Sequence, residues 1–208
     1  MSRYLGSVCK LCRREREKLF LKGERCSSKC ALDRKRGKNA PGQHGVPKGK
    51  MSEYAKHLRE KQKARRFYNL TEQQFKHYYE IAEKMSGSTG YNLIKLLEMR
   101  LDNVVYRLGF ASSKMMARQT IGHGNILVNG KKIDIARYQV KAGDIITASE
   151  KYKNNSAVKN LIEKPSANIA PWLAFSKDKV EGSVISEPIA DEISQPINSN
   201  LIVEYYSK

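Results

Sequence analysis

The sequence predicts an α+β protein: a basic, cysteine-bearing N-terminal arm, a helical stretch, and a unit of two helices followed by a small β-sheet. Three observations lead there. All four cysteines fall within the first 30 residues. Apolar residues recur at helical spacing between residues 52 and 122. The stretch Ile126-Leu127-Val128-Asn129-Gly130-Lys131-Lys132-Ile133 reads as a hairpin around an Asn-Gly turn.

The arm comes first. Cys9-x2-Cys12 lets one tight turn present two thiolates to one cation, and Cys26-x3-Cys30 can complete the tetrahedron that zinc prefers. Residues 1–50 hold few large apolar side chains (Tyr4, Leu5, Leu11, Leu19, Phe20, Leu21, Leu32). Metal binding would therefore supply much of the arm's folding free energy. Lys10, Arg13, Arg14, Arg25 and Lys29 would lower the thiol pKa values and offset the negative charge of four thiolates. The favoured reading is one structural Zn2+ ion on Cys9, Cys12, Cys26 and Cys30. Two disulfides, disfavoured in a reducing compartment, and free thiols are the alternatives. A redox CxxC would want a βαβ pattern, and an iron–sulfur cluster has no separate support. A closed four-cysteine site has no open position, so it would be structural rather than catalytic.

Charge points to a polyanion. The chain has 208 residues, with 39 Lys and Arg against 21 Asp and Glu and a formal net charge of +18. Residues 1–66 carry 21 basic and 6 acidic residues, whereas residues 67–208 carry 18 and 15. Nucleic acid or an anionic membrane surface would answer such an excess. No run approaches the ~18 apolar residues of a membrane span, and the first residues lack the apolar stretch of a secretory signal. The expectation is a cytosolic, soluble protein with no membrane partner. The arm's candidate RNA ligands are Arg3, Lys10, Arg13, Arg14, Lys22, Arg25, Arg34, Lys35 and Arg36.

Residues 33–50 contain Pro41-Gly42-Gln43-His44-Gly45 and read as loop. Its amides, with Gln43, His44, Lys48 and Lys50, could lie along a phosphate backbone, or the segment could be a plain linker. Ser52 caps a helix to about Tyr68, with Tyr54, Leu58, Ala64 and Phe67 on a thin apolar side. Lys56, Arg59, Lys61, Lys63, Arg65 and Arg66 fill most of the remainder as candidate RNA contacts. Thr71 and Gln74 form a capping box for a second helix. Its stripe of Phe75, Tyr78, Tyr79 and Ala82 favours core over a base-stacking platform.

One long helix is expected from about residue 91, with Leu93, Leu96, Leu97, Leu101, Val104, Val105 and Leu108 on one face and Gly109 as its stop. Ser112 or Ser113 caps the next helix. Met116, Ala117, Thr120 and Ile121 face inward, and Lys114, Arg118 and Gln119 are left outside. Lys114 and Arg118 are four apart in the first turns, where a helix favours phosphate. Arg107, Ser113, His123 and Asn129 join them as candidates. Ile145–Ala148 reads as a further strand. Beyond it, Trp172 reads as a packing anchor, residues 181–200 mainly as loop, and Leu201–Tyr206 as helix rather than strand.

Taken together these segments resemble the bacterial small-subunit ribosomal protein S-four family from end to end. The resemblance rests on Arg3-Tyr4-Leu5-Gly6 with Cys9-x2-Cys12-Arg13-Arg14, Leu21-Lys22-Gly23-Glu24-Arg25-Cys26 and Pro41-Gly42-Gln43-His44-Gly45. It continues through Tyr54-x3-Leu58-Arg59-Glu60-Lys61-Gln62-Lys63, Arg100-Leu101-Asp102-Asn103-Val104-Val105-Tyr106-Arg107-Leu108-Gly109-Phe110 and Ala117-Arg118-Gln119. Gly122-His123-Gly124, Val128-Asn129-Gly130 and Val203-Glu204-Tyr205-Tyr206-Ser207 complete it. Some zinc-bearing members space the second pair as Cys-x4-Cys, against Cys26-x3-Cys30 here, and many members lack the cysteines.

The resemblance implies an RNA-binding module inserted into a helical domain. The implied parts are an arm over 1–45, helices over 46–90 completed by a C-terminal segment over 181–208, and the module over 91–180. It implies a structural constituent of the small ribosomal subunit, cytoplasmic and within the ribosome. That constituent would bind small-subunit ribosomal RNA early, organise a junction of RNA helices, and touch neighbouring small-subunit proteins. It would lie close to where mRNA enters. No catalysis and no small-molecule substrate are expected. An RNA-modifying enzyme would need a catalytic domain, and fewer than 60 residues follow residue 150. A zinc-dependent DNA regulator would want a recognition helix beside the cysteines and a dimer seam.

Overall fold

The computed structural model describes residues 4–34, 37, 39–46, 49–155, 159, 169–176, 179–189 and 196–207. The chain forms two compact units, Met1–Leu93 with Pro196–Lys208, and Ile94–Gln195. Among the described residues no helix is long and apolar enough to cross a membrane.

In the first unit α1 (Cys9–Glu15) carries Cys9 and Cys12, α2 (Glu24–Ser28) carries Cys26, and Cys30 follows α2. α1 ends at Arg16, held left-handed at φ 60°. The chain then brings Leu19 and Leu21 into a small interior with Val8, Cys12 and Cys26. α3 (Glu53–Phe67) starts where the Ser52 hydroxyl accepts the Ala55 N–H at 3.3 Å. Its buried positions are His57, Lys61 and Ala64. Of the expected apolar side only Ala64 is buried, and Tyr54 is 57% exposed. The reason is the neighbour. α9 (Ser199–Tyr206) packs on α3 and, besides buried Ile202, offers polar and aromatic partners. Glu204 meets His57 at 2.9 Å, and the Lys61 ammonium lies 4.6 Å from the Tyr205 ring centre.

α4 (Glu72–Lys84) carries both halves of the Thr71–Gln74 capping box. Its Phe75, Tyr78, Tyr79 and Ala82 are buried, so the stripe is core. Tyr79 stacks on Tyr206 with ring centres 4.2 Å apart. The C-terminal stretch is a helix, capped by Asn198, whose own N–H donates to Glu60 at 2.7 Å.

The expected helix over 91–108 is two helices, α5 (Thr89–Glu98) and α6 (Leu101–Arg107). Arg100 between them is extended, at φ −70° and ψ 138°, and bridges to Gln139. Its guanidinium is 1% exposed and doubly bonded to Asp102, at 3.0 and 2.7 Å. The apolar face continues across this break, so periodicity alone could not reveal it. Gly109, at φ 83°, follows α6 as the expected stop. α7 (Lys114–Gly122) is capped by Ser113, whose hydroxyl accepts the Met116 N–H at 3.2 Å.

The sheet has five antiparallel strands in the order β2-β1-β3-β5-β4. They are β1 (Ile126–Val128), β2 (Lys131–Lys132), β3 (Ile145–Ala148), β4 (Leu173–Ser176) and β5 (Glu181–Val184). Asn129 at φ 50° and Gly130 at φ 76° make the hairpin turn, which needs two left-handed residues. A short helix, α8 (Glu150–Lys153), follows β3. The core joins α6, α7 and the sheet through Leu101, Val105, Leu108, Phe110, Ile121, Ile126 and Ile146. Trp172 anchors it, 1% exposed.

β4 and β5 escaped the sequence. Each is only four residues long, and Glu181-Gly182-Ser183-Val184 is mostly polar or small. Gly182 is there because a Cβ would stand 2.3 Å from Leu108 Cδ1. Two boundaries therefore change. Residues 181–184 lie in the sheet and not in a segment packed on the helical domain, and the C-terminal return to the first unit comes at Pro196. The arm and the helices after it form one unit rather than two.

Candidate nucleic-acid interface

Most of the arm's cations face solvent. Lys10, Arg14, Arg16, Lys22, Arg25, Lys29, Arg34 and Lys50 are exposed and form no ion pair among the described residues. Gln43 and His44 are exposed on the loop. Arg13 and Arg14 tie α1 to that loop, donating to the carbonyls of Asn39 at 3.1 Å and Pro41 at 3.3 Å. Arg3, Lys35, Arg36 and Lys48 lie outside the described residues.

The four cysteines are brought together. Cys9, Cys12, Cys26 and Cys30 line one cavity of about 80 Å³, with Lys22, Arg25, Lys29 and Arg34 around it. All four are free thiols. The Lys22 N–H donates to Cys26 Sγ at 3.3 Å. Burial pushes the Cys12 thiol up, the Leu19 N–H pulls it back, and the other three cysteines push it up further. As placed, no group of three or more His, Cys, Asp or Glu among the described residues stands ready to hold a metal. Four thiols are the donor type zinc takes, but as placed they would have to move closer to hold an ion.

α3 presents its cations less freely than its sequence suggests. Lys61 is 4% exposed and bonded to Glu72. Lys63 pairs with Glu60 at 2.9 Å and Glu17 at 3.2 Å. Arg65 is bonded to Gln62 at 2.8 Å, and Lys56, which is exposed, pairs with Glu53 at 2.6 Å. Arg59 and Arg66 both bond Glu15. Burial pushes the Glu15 carboxyl up, and the two arginines pull against that.

The second unit holds an internal charged cluster. Glu98 is fully buried and accepts from Asn103 at 2.6 Å and Arg107 at 2.9 Å. Asp102 takes Arg100, and Arg118 reaches it at 3.5 Å. Lys114 and Arg118, expected outside, are 9% exposed and 10% exposed at the side chain respectively. Burial pulls the Lys114 ammonium well below the ordinary lysine range, although Glu98 favours its charge. Both residues lie in the first turns of α7 and face Glu98 and Asp102, which is why the helix turns them in. Ser113 is engaged as the cap. Asn129 donates to Asp144 at 2.8 Å and accepts from the Ile145 N–H at 2.9 Å, so its side chain holds the turn. Gln119 and His123 are exposed.

Several residues were not singled out from sequence. Glu15, Glu98 and Asp102 organise the cations around them; for Glu98 and Asp102 the available signal was a charged residue inside an apolar stretch, and Glu15 lies in a run of charges that offers none. Lys131 and Lys132 are exposed on β2, and Lys132 crosses Gly124, beside His123.

Comparison with known proteins supplies the remaining observation. Residues 3–98 match the family described as the ribosomal protein S4/S9 N-terminal domain, and residues 99–146 match the S4 domain. The two matches meet where α5 ends. The chain is 72% identical to small ribosomal subunit protein uS4 of Endomicrobium trichonymphae, with 100% of each chain covered. It is 54% identical to small ribosomal subunit protein uS4 of Clostridium botulinum (strain Eklund 17B / Type B), again with 100% of each chain covered. Against uS4A of Clostridium novyi (strain NT) it is 55% identical over the same full coverage.

Proposed function

Because the chain belongs to the uS4 family of small ribosomal subunit proteins, we infer that its exposed arm cations bind small-subunit ribosomal RNA. It is a structural constituent of the small subunit and works in the cytoplasm within the ribosome, not as an enzyme. Its partners are ribosomal RNA and neighbouring ribosomal proteins. The observation that carries the RNA reading is the set of exposed arm cations that pair with no carboxylate among the described residues. Those cations contact phosphates and release counterions, and the rigid helices behind them set where each phosphate must lie. Recognition is of folded RNA shape, with few base-edge contacts.

Three finer readings belong to this proposal. The protein fixes the relative orientation of several RNA helices at a junction during assembly. It lies close to where mRNA enters the subunit. Cys9, Cys12, Cys26 and Cys30 hold one structural zinc ion, which orders the arm before RNA arrives. The cavity shared by the four thiols supports the metal.

The test is a titration of the full chain against small-subunit ribosomal RNA and an unrelated structured RNA of equal length, at several salt concentrations. The expected result is a preference for the ribosomal RNA that survives high salt. Equal affinities that collapse together would leave only a polycation.

A further inference from the structure

A second cavity in the first unit, of about 410 Å³, lies between α1, the loop at Ala40–Gly45 and α3. Arg14, Arg16, Arg59 and Arg66 line it around one carboxylate, Glu15, and exposed His44 lines it as well. Four guanidinium groups against one carboxylate leave a formal excess of three positive charges among these residues.

The carboxylate does not satisfy its neighbours. Glu15 is 2% exposed at the side chain, and Arg59 and Arg66 both reach the same oxygen, Oε1. A guanidinium carries five N–H donors in a planar fork. Arg66 Nε is buried and has no hydrogen-bond partner among the described residues. An anion with several acceptor oxygens is what such a cavity lacks.

The wall is built in advance. The Ala40 N–H donates to the Gly45 carbonyl at 3.1 Å and closes the loop into a ring. A Cβ at Gly45 would stand 2.1 Å from the Ala40 carbonyl oxygen, so glycine is required there. Arg14 donates to Pro41 at 3.3 Å and fixes that ring to α1. Little ordering remains to be done on binding.

We propose that this cavity is a single-phosphoryl site, in which the four arginines take the phosphate oxygens and Glu15 sets the affinity by opposing the anion. The proposal deepens the RNA-binding reading and rests on it for the source of the phosphoryl group, the sugar–phosphate backbone. A free phosphate ester is the other source with the same chemistry.

The experiment titrates the full chain with inorganic phosphate, followed by phosphorus NMR and calorimetry, with chloride at equal ionic strength as the control. One saturable site is expected. Arg16→Asn, at an exposed left-handed position that Asn tolerates, weakens phosphate roughly tenfold. Glu15→Gln tightens it, because one opposing charge is gone. Thermal melts followed by circular dichroism check that both variants fold; should Glu15→Gln not fold, exposed His44→Ala replaces it and weakens phosphate. Competition between phosphate and ribosomal RNA identifies the backbone as the source, and saturable phosphate without competition identifies a free ester. Absence of saturable phosphate binding overturns the proposal, as does a shift of Arg16→Asn and Glu15→Gln in the same direction. Intact ribosomal RNA preference with no phosphate site overturns the cavity and leaves the RNA reading standing. Loss of that preference in the unaltered chain overturns the RNA reading, while the phosphate titration still decides the cavity.

Discussion

In the first unit Lys22, Arg25, Lys29 and Arg34 stand in solvent around four thiols, whereas in the second Arg100, Arg107, Lys114 and Arg118 are drawn inside around Glu98 and Asp102. Both groups read in the sequence as basic residues on helices or beside them. What separates them is the supply of acid at the right spacing. The arm has few carboxylates, so its charge stays outward and unneutralised. The second unit places Glu98 and Asp102 where the chain breaks between α5 and α6, and the cations fold over them. Basic composition therefore locates a polyanion surface only where no acid is available to internalise it.

The largest expected effect lies in the arm. Removing metal with a chelator, or replacing Cys12 by Ser, unfolds the α1–α2 region and weakens ribosomal RNA binding, while the second unit keeps its fold. Zinc content per chain, thiol reactivity and the intensity of the arm's helical signal are the readouts. Unchanged RNA affinity after full chelation would remove the metal from the account and leave the arm held by its apolar residues alone.

Asp102→Ala comes next. It leaves the Arg100 guanidinium buried without its carboxylate, which costs about 3–5 kcal/mol. Trp172, the sole tryptophan, sits in that unit's core and reports its urea transition by fluorescence. Lys22→Ala, on the exposed side of the comparison, moves the same transition by under about 0.5 kcal/mol. Similar midpoints for the two variants would mean that the internal pairs do not hold the unit together.

These contrasts also mark what the sequence could carry. Caps and turns were legible because one residue does the work: Ser52, Thr71 with Gln74 and Asn129-Gly130 each stand where the local chemistry demands, whereas the choice between Ser112 and Ser113 was made only by the fold. Helix faces were legible where the partner was aliphatic, as for Leu93, Leu97 and Val104. They failed on α3, where His57 and Lys61 are buried because α9, more than 130 residues away, brings Glu204 and Tyr205 against them. β4 and β5 failed for the opposite reason. β5 is a strand because it pairs with β3, and β4 because it pairs with β5; Glu181-Gly182-Ser183-Val184 has little strand character by itself. Among the site residues, solvent-facing Lys22 and Arg25 were legible from composition. The inward turn of Lys114 and Arg118 depended on carboxylates in another helix.

A smaller effect separates exposed from buried cations directly. Reversing charge at Lys22 and Arg25 (K22E with R25E) weakens ribosomal RNA binding. It also flattens the plot of log affinity against log salt by about 0.7–0.9 for each phosphate that is no longer neutralised. Lys61→Met, at a side chain already bonded to Glu72 and laid over Tyr205, leaves that slope unchanged. A flattened slope for Lys61→Met would place that lysine on RNA and undo the division by burial.

The last effect is small and lies in the second unit. Burial holds Lys114's folded pKa well below the ordinary lysine value. Between those two values the unfolded chain binds the extra proton and the folded chain does not, so stability rises with pH across that interval. The rise ends near pH 10, where a tyrosine takes over. Burial pushes the Tyr152 hydroxyl up, so the unfolded chain loses that proton first and stability turns downward. Lys114→Met removes the rise, since methionine has no proton to exclude, and leaves the alkaline fall in place. Urea midpoints followed through Trp172 from neutral pH to beyond pH 10 read the difference. A rise that persists in the methionine variant assigns the slope to another group, and Lys114 would then keep its charge beside Glu98 in the folded unit.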